Sequence, residues 1–115
     1  MNMLTIYHNP RCSKSRQTLG IIEEAGQMVQ VVEYLKTVPT KEELAEIVKK
    51  LGLKPIELIR KGEADYKENF KGKTLTDEEW IEAMVQYPKL LERPIVIKDN
   101  KAVLGRPPEN VKVLF

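Results

Sequence analysis

Apolar positions along the chain change period several times, and each change marks an element. LTIY (4–7) is a short β-branched and aromatic run, which reads as a buried strand. HNPR follows as a loop, with Asn9-Pro10 as its turn signal. From Ser13 the spacing becomes helical: Leu19, Ile22 and Ala25 share a face, and Gly26 is a natural stop. VQVVEYL (29–35) alternates and is rich in valine, so a second strand is predicted there. Strand, helix and strand within this length form a βαβ unit with a right-handed crossover.

Helical spacing then dominates. Thr40 and Glu43 have the spacing of a capping box, and Leu44, Ile47, Val48 and Leu51 repeat along one face up to Gly52. PIELIRKG (55–62) predicts a short second helix, and the polar, lysine-rich residues 63–75 predict a loop. Thr76 and Glu79 make another capping box ahead of Trp80, Ile81, Met84 and Val85, in a helix ending near Tyr87-Pro88. IVIKDNKAVLG (95–105) reads as a β-hairpin around Lys-Asp-Asn-Lys, and a short helix or turn follows Pro107-Pro108. The order predicts an α/β architecture: a small mixed four-stranded sheet flanked by helices, with a helical insertion between the βαβ unit and the C-terminal hairpin. This is the element order of a thioredoxin-like fold.

Composition narrows the functional classes. The 115 residues suit a single domain, 1–115, and 42% hydrophobic content with both charge signs mixed reads as globular and soluble. A net charge of +2 gives no footprint for nucleic acid or an anionic membrane. No apolar run approaches a membrane span, and MNMLTIYHNP lacks the pattern of a signal peptide. One cysteine cannot close an internal disulfide, which suits a reducing cytoplasm. With one histidine beside it, the Cys/His set is too small for a zinc site, so no metal is expected.

That cysteine and that histidine lie together in YHNPRCSKSR. A lone cysteine is most often a small buried hydrophobe. Cys12, however, sits where a strand's loop becomes a helix, and free N–H groups at a helix start favour a thiolate. His8, Arg11, Lys14 and Arg16 offer charge or donors, and Ser13 and Ser15 offer hydroxyls, so the pattern favours a reactive thiol. A C-x-x-C redox pair is excluded because position 15 is Ser15. The cysteine–x5–arginine loop of small tyrosine phosphatases is excluded because Thr18 occupies the arginine position. A second thiol must come from another molecule.

YHNPRCSKSR, LIRKGE, ERPIV and GRPPE, in that order, resemble the ArsC family of arsenate reductases, the glutathione/glutaredoxin-coupled type with a thioredoxin-like fold. The resemblance spans nearly the whole chain. It implies that Cys12 is the nucleophile, that His8 and Ser15 help ionise it, and that Arg60, Arg93 and Arg106 bind the oxyanion. It further implies arsenate or a similar oxyanion as substrate, glutathione as reductant without a bound cofactor, glutaredoxin as partner, and a cytoplasmic setting. A monomer is expected. Guanidinium forks suit a tetrahedral oxyanion because two donors meet two oxygens. Pro94 falls on the position of the fold's cis-proline, and X–Pro bonds alone tolerate cis cheaply. Ser13-Lys14 departs from the small residues that follow the cysteine in the well-known enzymes, which also run on in a longer C-terminal tail. Two other readings are an Spx-like redox-sensing interaction protein and a general glutathione-dependent thiol oxidoreductase; neither requires three convergent arginines.

Overall fold

A computed structural model describes residues 3–115, so the first two residues of the expected domain lie outside the described chain. Its elements are β1 (Leu4–His8), α1 (Ser13–Glu24), β2 (Val29–Glu33), α2 (Lys41–Leu51), α3 (Ala64–Asn69), α4 (Asp77–Gln86), β3 (Ile95–Lys98) and β4 (Lys101–Leu104). Three 3-10 helices lie at Pro55–Leu58, Pro88–Leu90 and Pro108–Leu114. The chain divides into two compact units, one built from the segment up to Thr37 with Arg93–Phe115, the other from Val38–Glu92.

The first unit carries the sheet, in the order β2-β1-β3-β4. β2 runs parallel to β1, with Ile6 opposite Val31. β3 runs antiparallel to β1, with Ile6 opposite Val96, and β4 returns beside β3, with Val96 opposite Val103. This is the mixed thioredoxin-like sheet that the element order predicts. Alternation places Leu4, Ile6 and Val96 in one core with Ile22 of α1 and Val111 and Leu114 of the last 3-10 helix. Each such aliphatic side chain contributes about 1.5–3 kcal/mol by leaving water. The Arg93–Pro94 bond is cis, as the resemblance implies, and so is Arg106–Pro107, which the sequence reading does not single out.

The face that α1 buries differs from expectation. Ser15, Thr18 and Ile22 are its buried residues, Leu19 is half-buried, and Ala25 is exposed as the C-cap. Apolar periodicity selects aliphatic positions and so passes over a buried stripe that is partly hydroxyl. Gly26 stops the helix in the left-handed region, at φ 70°.

In the second unit both capping boxes form: Glu43 N donates to Thr40 Oγ1 at 3.1 Å, and Glu79 N to Thr76 Oγ1 at 3.2 Å. α4 packs against α2, and Lys41 of α2 bridges Glu78 and Glu82 of α4. Two expectations are corrected here. PIELIRKG is helical only over Pro55–Leu58; Ile59 then adopts an extended conformation and bridges Leu91. Residues 63–75 are not all loop, because α3 forms within them. Its Tyr66 stacks on Trp80 at 6.3 Å between ring centroids, and Phe70, one turn later, lies 5.7 Å from the same ring. Aromatic packing stabilises a helix whose short, polar sequence shows little periodicity.

Candidate active site

β1 ends at His8, and a tight turn delivers the chain into α1. Asn9 Oδ1 accepts from Arg11 N at 3.0 Å, and Asn9 O accepts from Cys12 N at 3.0 Å. Arg16 Nη1 reaches back to Pro10 O at 2.9 Å. Cys12 takes the N-cap position with extended dihedrals, φ −94° and ψ 123°. Its carbonyl accepts the first helical bond, from Arg16 N at 3.0 Å. No oxygen caps this helix; the acceptor facing its free N–H groups is the Cys12 sulfur.

Burial pushes the half-buried Cys12 thiol up. The backbone N–H of Ser15, the Arg93 guanidinium as donor and as charge, and the backbone N–H of Lys14 outweigh it, and hold the thiol below its ordinary value. Arg106 Nη2 stands 3.8 Å from the same sulfur, while Arg106 Nε donates to Arg93 O at 2.8 Å. Two guanidiniums that flank the β3–β4 hairpin, one just before β3 and one just after β4, thus meet a helix N-terminus at one sulfur.

Ser15 and His8 serve this arrangement differently from the sequence reading. Ser15 is fully buried, and its hydroxyl is engaged away from the sulfur, 2.5 Å from His8 Nδ1. Asn9 N donates to the same oxygen at 3.1 Å, so the Ser15 hydroxyl joins the turn to the imidazole. His8 is buried, and burial holds its pKa below the ordinary imidazole value; Arg16 acts in the same direction, against Glu33 and Glu23. A neutral His8 supplies no positive charge at neutral pH. It fixes Ser15, and what Ser15 presents to the sulfur is its backbone N–H. Arg11, Lys14 and Arg16 are exposed, and Lys14 contributes a main-chain donor.

Arg60 belongs to the second unit. There Arg60 Nη1 donates to Glu92 Oε1 at 2.7 Å, and Nε lies 3.7 Å from Glu63 Oε2. Sequence reasoning assigns neither carboxylate; LIRKGE and ERPIV contain both, but only the fold pairs them. It also passes over Thr18 and Gly105, which approach each other closely next to Arg106 in the chain. Among the described residues no group of three or more His, Cys, Asp or Glu side chains could hold a metal ion. Among the same residues, no helix is long and apolar enough to cross a membrane.

Comparison with known proteins identifies the family. The uncharacterized protein YfgD of Escherichia coli strain K12 is 50% identical over 108 residues, covering 92% of this chain and 91% of that protein. An arsenate reductase of Neisseria meningitidis serogroup A is 42% identical over a 117-position alignment that covers 100% of this chain and 100% of that protein. The solved structure of an arsenate reductase from Vibrio cholerae superposes with a TM-score of 0.93 at 44% identity, covering 99% of this chain and 98% of that one. The model of the ArsC family matches residues 7–114. On a match of that extent, with Cys12 in YHNPRCSKSR at its start, the chain belongs to the ArsC family.

Proposed function

We propose that this chain is an arsenate reductase of the glutathione/glutaredoxin-coupled type, with Cys12 as nucleophile. The observation that carries the reading is the placement of the Arg93 and Arg106 guanidiniums at a Cys12 sulfur already favoured as thiolate. Redox shuttling between thiols has no need of two arginines there, whereas a tetrahedral oxyanion does. The names of the relatives support the same substrate.

The Cys12 thiolate attacks arsenic; an As–S bond forms, one As–O bond breaks, and the oxygen leaves as water or hydroxide with arsenic still pentavalent. Glutathione displaces a second oxygen in the same way. The glutaredoxin thiolate then attacks the glutathione sulfur. An S–S bond forms, and the As–S electron pair stays on arsenic, which becomes trivalent. Water cleaves the remaining bond to Cys12, releasing arsenite and the thiolate. The two electrons come from the glutaredoxin and glutathione thiols, which are left as a mixed disulfide, so no bound cofactor is required. Arg93 and Arg106 hold the oxygens as charge redistributes. His8 and Ser15 keep the helix start in place. Arg60 is the third anion-binding arginine by resemblance, and its share is read from the KM for arsenate in Arg60→Gln. The protein acts as a monomer in the reducing cytoplasm, where Cys12 stays unoxidised.

The test supplies purified protein with arsenate, NADPH, glutathione reductase and glutathione, adding glutaredoxin or thioredoxin in turn. Arsenate-dependent NADPH oxidation confined to the glutaredoxin mixture, and abolished in Cys12→Ser, is the expected result. No arsenate-dependent oxidation in any mixture, with the protein folded and reduced, overturns the reading in favour of a redox-sensing or disulfide-directed role.

A further inference from the structure

Cys12 is carried by α1, whereas Arg93 and Arg106 are carried by the start of β3 and the end of β4. Their meeting depends on how closely the helix approaches that end of the hairpin. The approach is set at one point. Thr18, fully buried on α1, donates from Oγ1 to Lys14 O at 2.8 Å and lies 3.4 Å from Gly105 O. Gly105 N donates to Pro94 O at 2.9 Å. A Cβ placed on Gly105 would stand 2.5 Å from Thr18 Oγ1, 3.0 Å from Thr18 Cγ2 and 2.7 Å from Pro94 Cγ. At the other glycines such a Cβ would meet no described atom within 4 Å beyond the adjoining residues and the glycine's own helix backbone. Gly105 directly precedes Arg106, and Pro94 directly follows Arg93.

We infer that Thr18, Gly105 and Pro94 form a steric spacer that sets the distance from the two guanidiniums to the Cys12 sulfur, making Thr18 and Gly105 positioning residues of the oxyanion site. This rests on the reading of Cys12, Arg93 and Arg106 as that site. Interiors are packed to contact, so one added methyl is not absorbed locally. At residue 105 it meets a helix on one side and a proline ring on the other. The segments free to yield carry Arg106 and Arg93, and both move away from α1. The alcohol of Thr18 matters less than its bulk, since its stronger bond stays within its own helix.

Gly105→Ala and the double variant Thr18→Ala/Gly105→Ala test this, since the second substitution removes both Thr18 atoms that the new methyl meets and so frees residue 105 to shift toward α1, off the Pro94 ring. Three readouts separate positioning from mere stability: thermal melting, the pH midpoint of Cys12 alkylation by iodoacetamide, and kcat/KM for arsenate. Gly105→Ala is expected to melt cooperatively. Its alkylation midpoint should rise by about 1 unit as the guanidiniums withdraw. Turnover should fall on the order of 100-fold, as for a misplacement near 1 Å. The double variant should recover at least about tenfold of that loss and return the midpoint toward wild type, the non-additivity expected of residues in contact. A folded Gly105→Ala with wild-type midpoint and turnover overturns the spacer, and so does a double variant no better than the single one. Should Gly105→Ala alone fail to melt cooperatively, a folded double variant with a midpoint near wild type supports the spacer, and one that is unfolded or keeps a raised midpoint overturns it. Alkylation needs no arsenate, so a wild type without turnover would refute the proposed function and leave the spacer still tested.

Discussion

Replacing Arg93 by glutamine removes a charge and a charged donor from the Cys12 sulfur while keeping a shorter, polar side chain. Arg93 acts on the thiolate in both capacities, beside the N–H groups of Ser15 and Lys14. A hydrogen bond to a charged group contributes about 1.5–3 kcal/mol, and one pKa unit corresponds to about 1.36 kcal/mol. Arg93→Gln should therefore raise the thiol by about 1–2 units. Arg106→Gln is the internal comparison. Its Nη2 lies 3.8 Å from the sulfur, the long end of a contact to sulfur. A charge pair at about 4 Å is worth about 1 kcal/mol in water and about 4 kcal/mol at an effective dielectric of 20. Cys12 is half-buried and screened by solvent, so the lower figure applies and the shift should stay under about 1 unit. The assay is the second-order rate of iodoacetamide alkylation from acid to alkaline pH. Below both midpoints the Arg93→Gln rate should fall about 3–15-fold, the loss of thiolate fraction being partly offset by greater nucleophilicity. The alkaline plateau should rise about 3–10-fold, because a more basic thiolate is the better nucleophile. A midpoint equal to wild type, in a variant with an unchanged circular dichroism spectrum, would refute the argument that Arg93 stabilises the thiolate.

Other consequences follow from the same contacts. The thiol's folded value lies below its unfolded one, so its stabilisation is complete above the unfolded value and is lost as pH falls through the folded one. Urea denaturation under reducing conditions should accordingly show wild type gaining on Cys12→Ser as pH rises toward 9, with parallel curves counting against an ionised Cys12. His8 is likewise depressed, from an ordinary value of 6.5, so its contribution is present above 6.5 and is lost as pH falls through the folded value. Acidification should narrow the stability gap between wild type and His8→Gln, and a gap independent of pH would mean that His8 is not held neutral. Thr40→Ala removes one half of a reciprocal cap and should cost about 1 kcal/mol in chemical denaturation; a loss near zero would mean the second unit does not depend on that helix start.

What could be read from the sequence divides along physical lines. β1, the two capped helices and the hairpin each rest on local signals: alternation, a Thr and a Glu three apart, an Asp-Asn turn. The extended Ile59 and the short helix α3 rest instead on partners distant in sequence, Leu91 for one and Trp80 for the other. The same holds at the candidate site. Cys12 at a strand-to-helix turn is a local pattern, and the ordered motifs supply the arginines. The bond between Ser15 and His8, the donation of Arg106 Nε to Arg93 O, and the contact of Thr18 with Gly105 join residues whose relation only the fold creates. Hydroxyl side chains on the buried face of α1 leave no apolar period, so Ser15 is found through its motif and Thr18 is passed over.

The central claim is that Cys12, the α1 N-terminus and the hairpin arginines form one oxyanion site, and a crystal soaked in arsenate tests it most directly. Tetrahedral density is predicted at the Cys12 sulfur, bonded to it or in contact, with oxygens within hydrogen-bond reach of the Arg93 and Arg106 guanidiniums. Well-ordered density showing Cys12 and both arginines without the anion, at arsenate concentrations that support turnover, or the anion bound elsewhere on the chain, would contradict it.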